Sequence, residues 1–252
     1  MEVFTKRPAQ PQAARAEAAG LRWLGEASPQ VAEVVSVDDH HISTRAINLV
    51  PPTPTAARAA GRALARIHRA GAPAFGSPPA GWEGPNYIGT QQQSCFATKT
   101  WGEFYATQRV LPFAQRAKNR NHIDGDTLEL IINVCARIQK LEVTVAPARI
   151  HGDLWAGNLL FGDSGPVFID PAAHGGHPET DLAMLDLFGA PYLSEIQAGY
   201  EEISPLPSGW RERIPLHQLH PLAVHAASHG PSYGRQLRLI ALEVSATTYL
   251  AG

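Results

Sequence analysis

The stretch that decides the fold runs Arg149-Ile-His-Gly-Asp-Leu-Trp-Ala-Gly-Asn158, then Leu159-Leu-Phe-Gly-Asp-Ser-Gly-Pro-Val-Phe-Ile-Asp170-Pro171. Leu159–Phe161 and Val167–Ile169 are short apolar runs either side of a Gly-Asp-Ser-Gly turn, the pattern of a β-hairpin. An Asn enters the hairpin and an Asp leaves it. Folding the chain back therefore sets Asn158 beside Asp170, and an amide oxygen with a carboxylate is a hard-oxygen pair of the kind Mg²⁺ prefers. Asp153 lies five residues before Asn158 on the same loop, placed to accept a proton from an incoming hydroxyl.

Working outward, the sequence on both sides is mainly helical. Upstream, Ala13–Ala27 is Ala-rich and Thr55–Ala70 carries Leu64, Ile67 and His68 toward one face. Trp101–Arg116 and Asp126–Leu141 repeat apolar residues at helical spacing. Downstream, helices are expected at Glu179–Phe188, Leu193–Glu201, Trp210–Ala227 and Ser232–Leu250. Strands are expected at Val3–Phe4, Val31–Val37 and Ile42–Val50, with a turn at Asp38-Asp39. Pro51, Pro52 and Pro54 break the chain and suggest a boundary, dividing a small α+β unit at 1–53 from a helical unit at 54–252 that carries the hairpin. Residues 71–86 form a glycine- and proline-rich loop.

Composition narrows the function classes. The chain has 252 residues, 44% hydrophobic and 17% charged, with a formal net charge of -2. Nothing in that balance favours nucleic acid or an anionic membrane as a partner. There is no apolar run long enough for a transmembrane helix and no secretory leader pattern. Two cysteines, Cys95 and Cys135, make neither a disulfide framework nor a zinc motif, so a cytoplasmic setting is expected.

The order His151-Gly-Asp153, Asn158, hairpin, Asp170 matches the catalytic loop and metal-binding Asp of phosphoryl-transfer enzymes, in which few residue types suffice because positioning and charge neutralisation dominate. In that template a strand Lys anchors the phosphates and pairs with a helix Glu. Lys6, after the first strand, and Glu17, in the first helix, are the candidates. A solvated surface pair is the ordinary alternative for those two, and turn capping for Asp153 taken alone.

His151-Gly-Asp-Leu-Trp-Ala-Gly-Asn158 resembles the catalytic loop of the fructosamine (ketosamine) kinases, where Trp follows Asp-Leu. Asp170-Pro-Ala-Ala-His-Gly-Gly-His-Pro-Glu-Thr-Asp-Leu-Ala-Met184, Trp101-Gly-Glu-Phe-Tyr105 and Pro215-Leu-His-Gln-Leu-His-Pro221 are similar to further segments of that family, so the resemblance covers nearly the whole chain. It implies an α+β, protein-kinase-like bilobal fold and ATP- and Mg²⁺-dependent phosphorylation of a ketosamine hydroxyl, O3 in the best-known members, leading to deglycation. By the match, Asp153 is the base, Asn158 and Asp170 hold Mg²⁺, and Lys6 with Glu17 anchors phosphate. Trp155 would stack on the sugar, and His174, His177 and His217 would meet its hydroxyls; an internally hydrogen-bonded or solvated histidine is the alternative for each. Glu179 and Asp181 are expected to hold the loop or cap the next helix. Two departures stand out: the glycine-rich hairpin that opens the family pattern has no counterpart here, so the smaller lobe reads as truncated, and His41–Leu49 is more polar than the family's hinge strand. Both leave room for a pseudokinase that binds ATP poorly, or a kinase of another small alcohol or aminoglycoside, and for dimerisation that covers the sheet edge.

Overall fold

The computed structural model describes residues 2–247. The chain packs as two compact units, Met1–Phe96 with Ala146–Ser208, and Ala97–Val145 with Gly209–Gly252. A functional division at residue 53 remains a proposal resting on the proline break.

In the first unit, strands β1 (Val3–Lys6), β2 (Val34–Val37) and β3 (Ile42–Arg45) form an antiparallel sheet in the order β1-β3-β2. Helix α1 (Ala13–Gly25) packs its Ala14, Ala18, Leu21 and Leu24 inward, the stripe its alanine-rich sequence dictates. Helix α2 (Pro54–Arg69) starts where Thr53 Oγ1 accepts from Ala56 N at 3.2 Å, with Pro54 in the first turn, where its missing N–H costs nothing. The expected strands at Val31–Val37 and Ile42–Val50 are shorter than the apolar runs suggest. Their outer residues Val31 and Leu49 instead make single bridges to Phe168 and Gly162.

Those bridges seat the expected hairpin, observed as β7 (Leu159–Gly162) and β8 (Gly165–Phe168). On one side Phe168 N donates to Gln30 O at 2.7 Å; on the other Val50 N donates to Phe161 O at 2.9 Å. Two strand pairs had no clear sequence signal. β4 (Asn86–Ile88) with β5 (Gln91–Gln93) follows the long loop, and β6 (Ala148–Ile150) pairs antiparallel with β9 (His174–Gly176). Helices α6 (Glu179–Phe188) and α7 (Leu193–Glu201) complete this unit. α7 crosses α2 at two glycines: a Cβ on Gly61 would collide with Ile196 O, and one on Gly199 with Arg58 O, so the helices approach backbone to backbone.

In the second unit, α3 (Trp101–Phe104) passes through a π-helical stretch, Tyr105–Val110, into α4 (Leu111–Asn119), a break that the continuous apolar period did not announce. α5 (Gly125–Ile138) is capped by Asp124, which accepts from Thr127 N at 2.8 Å. A short 3₁₀ turn, Trp210–Arg213, leads into α8 (Ile214–His229), and α9 (Pro231–Ala246) ends the described chain; the expectation that this helix reaches Leu250 lies outside the described residues. Pro221 inside α8 has no N–H to offer the His217 carbonyl. Tyr105 Oη, 2.9 Å from that carbonyl, serves it instead and accepts from His220 N at 3.2 Å. No helix among the described residues is long and apolar enough to cross a membrane.

Candidate active site

Three charges converge where β1, α1 and the end of the hairpin meet. Lys6 Nζ lies 2.7 Å from Glu17 Oε2 and 2.6 Å from Asp170 Oδ1. The chain thus brings together residues 6, 17 and 170, which only the phosphoryl-transfer template had associated. Burial works against the Lys6 ammonium, yet the two carboxylates outweigh it and raise its pKa. Glu17 is pushed up to about 7, first by burial and further by the Asp170 charge, with Lys6 pulling it down. Asp170 sits at φ 53, in the left-handed region that side chains rarely adopt, immediately before Pro171.

Facing this group is the loop Gly152–Asn158. Asn158 Nδ2 donates to the Asp153 backbone carbonyl at 2.7 Å and to Asp153 Oδ2 at 3.2 Å. Because a carbonyl can only accept, this contact fixes which end of the amide points at Asp153 and leaves Asn158 Oδ1 for another partner. Ile169 N donates to Asn158 O at 3.1 Å, so the hairpin does carry Asp170 back to the neighbourhood of Asn158. Burial raises Asp153 to about 7; the Asn158 bond opposes this, while the Asp170 and Asp181 charges add to it. A carboxylate poised near neutrality suits proton acceptance at physiological pH. Asn158 Oδ1 and the Asp170 carboxylate are both hard oxygens. They fit Mg²⁺, which takes one or two protein ligands alongside phosphate.

The loop is held from behind by a buried chain of hydrogen bonds. Asp181, 1% exposed, accepts from His151 N at 2.7 Å, Gly152 N at 2.9 Å and His68 Nε2 at 3.0 Å. His68 Nδ1 in turn lies 2.8 Å from Tyr200 Oη. Burial alone would raise the Asp181 carboxyl; the bond from His68, the nearby imidazoles and the Gly152 N–H reverse that and hold it below the usual range. Of the two roles expected for Asp181, it is the loop-holding one that the structure displays, since α6 has no side-chain cap. His151 is itself buried and its pKa is lowered by that burial; Nε2 meets Ile169 O at 2.8 Å, tying loop to hairpin. Arg149, just before, donates to Trp23 O at 2.8 Å at the end of α1 and to Gly71 O at 3.0 Å. The parts played by Tyr200 and Arg149 were not read from sequence: a lone Tyr or Arg far along the chain carries no local signal of its partner.

The remaining candidates are placed as follows. Trp155 is 44% exposed, and its ring lies over Gly157 so closely that a Cβ there would overlap it. His174, in β9, is buried with Nδ1 at 2.7 Å from Ala172 O, against the back of Gly152. His177 is buried and its Nδ1 accepts from Glu179 N at 3.1 Å. His217 belongs to the second unit, buried beside Trp101 with ring centroids 5.1 Å apart.

The chain is similar to known proteins in sequence and in fold. A family model described as Fructosamine kinase matches residues 2–244. A relative from Enterococcus faecium named as a probable ketoamine kinase is 35% identical over 178 residues, 69% of this chain and 62% of that one. The chain thus spans less than two thirds of that relative's length. A crystal structure from Thermobifida fusca, assigned to the fructosamine-3-kinases, superposes with a TM-score of 0.90 at 45% identity, covering 97% of this chain and 86% of the other. A choline/ethanolamine kinase family protein from Mesorhizobium loti, 16% identical over 99% of this chain and 86% of its own, has a TM-score of 0.60 and shares the fold alone. The fold is therefore α+β and kinase-like. Because the family model spans residues 2–244, nearly the whole chain, the chain belongs to the fructosamine kinase family.

Proposed function

We propose that this protein transfers phosphate from MgATP to a hydroxyl, O3 by family resemblance, of a ketosamine, a sugar joined to an amine. The observation that carries the reading is the double ion pair of Lys6 with Glu17 and Asp170, opposite a loop whose Asp153 is half-buried and tethered by Asn158. In this reading MgATP supplies the transferable phosphoryl group. Lys6, kept charged and aimed by Glu17, holds phosphate oxygens. Asp170 and Asn158 offer oxygens to the metal, and Asp153 orients the acceptor hydroxyl and takes its proton. Trp155 supplies a half-exposed aromatic face for the sugar, and His174 and His177 are assigned to its polar edge. A cytoplasmic location and a homodimer belong to the same reading.

The test is phosphate transfer to fructose-lysine by the purified chain, followed as ADP release and as a mass gain on the sugar. Asp153→Asn is expected to remove turnover by a factor of about 10²–10⁴ while leaving MgATP binding in place. Turnover on other alcohols with none on fructose-lysine would overturn the substrate assignment. Undiminished turnover in the variant would overturn the role of Asp153.

A further inference from the structure

We infer that the first unit carries a second carbohydrate site, a polar cleft built around Trp82 on the side of α1 turned away from Glu17. The cleft has a volume of ≈ 990 Å³ and is bordered by Trp82, Gln12, Arg15, Asp39, Glu83 and Gln92. The residues around Trp82 hold its indole in place. The ring lies over Gly84, where any Cβ would overlap it, and Nε1 donates to Pro85 O at 3.0 Å. The ring is therefore held against the Gly84 backbone, and Trp82, half-buried, borders the cleft. Trp155 over Gly157 repeats the same Trp-x-Gly device at the proposed reaction crevice.

The lining selects the ligand class. An indole held at the border of a cleft offers apolar surface to the C–H side of a sugar ring, while amides, carboxylates and a guanidinium around it exchange hydrogen bonds with hydroxyls. Arg15 is neutralised by Asp39 at 2.5 Å, and Glu83 adds a negative charge. The cleft thus carries no surplus positive charge for a phosphate or carboxylate, and a neutral hexose fits better than an anion. Arg15 and Glu17 are two residues apart on one helix, which points them to nearly opposite faces. This cleft is accordingly distinct from the Lys6–Glu17–Asp170 group and does not depend on the phosphoryl-transfer reading.

The experiment labels the full chain with 5-fluorotryptophan and follows its five tryptophans by fluorine NMR during titration with D-glucose, D-fructose and maltose. Trp82→Phe identifies the Trp82 line; should that variant not fold, a nitroxide on Glu83→Cys identifies it by broadening. A saturable shift of the Trp82 line, weakened at least about fivefold by Asp39→Ala or Gln12→Ala, is the expected result, since one lost hydrogen bond is worth about that factor. A Trp82 line that stays still up to the solubility of all three sugars overturns the inference, as does one that responds to inorganic phosphate as strongly as to sugar. If Trp155 moves and Trp82 does not, sugar binding is confined to the proposed reaction crevice and the second site is refuted.

Discussion

Replacing Asp181 tests how the loop is held. Its carboxylate accepts three hydrogen bonds, two from the backbone N–H groups of His151 and Gly152 and one from His68. All three donors are buried, so removing the acceptor leaves them unsatisfied rather than solvated. Leaving partners of a buried charge unpaired costs roughly 3–5 kcal/mol, a large share of a typical total of about 5–15 kcal/mol. Asp181→Ala is expected to lower the urea midpoint by about 1 M or more. Asp181→Asn keeps the shape and one acceptor oxygen but turns an NH₂ toward an N–H, so about half that loss is expected. Turnover should fall by about 100-fold in either variant that folds, because a displacement of about 1 Å at Asp153 is enough to spoil alignment. The sign with pH is fixed by the lowered carboxyl. Its contribution is fully present above the unfolded value near 3.9 and is lost as pH falls through the lower folded value. The wild-type advantage over Asp181→Asn should hold steady from about pH 6 to 8 and shrink below about pH 4. A midpoint for Asp181→Ala within about 0.2 M of wild type would refute this account of the loop.

Three further outcomes are expected. The acid limb of kcat/KM should bend near pH 7, because Asp153 must be ionised to accept a proton and burial has raised it to about 7; a limb that stays flat down to about pH 5 would contradict that assignment. Lys6→Met should raise KM for ATP by about tenfold or more with fructose-lysine KM little changed, since the lost charge faces phosphate in the proposed pose; calorimetry with MgATP checks the same loss without turnover. Gly61→Ala should cost about 1–3 kcal/mol in thermal or urea unfolding, because its Cβ falls on the Ile196 carbonyl and the Tyr200 amide, neither of which can swing aside.

Much of this molecule was legible locally. The Gly-Asp-Ser-Gly turn between two apolar triplets gave the β7–β8 hairpin, and helical periodicity gave α6 and α7 to the residue. Signals of this kind need only neighbours in the chain. The β6–β9 pair was hidden because its strands are three residues each, one of them His-Gly-Gly, and lie more than twenty positions apart. The service of Tyr105 to the Pro221 gap was hidden for the same reason, because it answers a partner element, here α8.

Sequence alone determined which residue types stand at the candidate site, in what order, and that a turn would return Asp170 toward Asn158. Tertiary structure alone decided that Lys6 touches both Glu17 and Asp170, that Asp181 spends its carboxylate on the loop rather than on a helix cap, and that Asp153 sits near neutrality. The reason is physical. Residue order and turn chemistry are set by covalent neighbours, whereas a carboxylate's pKa and a hydrogen bond's partner depend on burial and on groups delivered by other segments, as far as 164 positions away for Lys6 and Asp170.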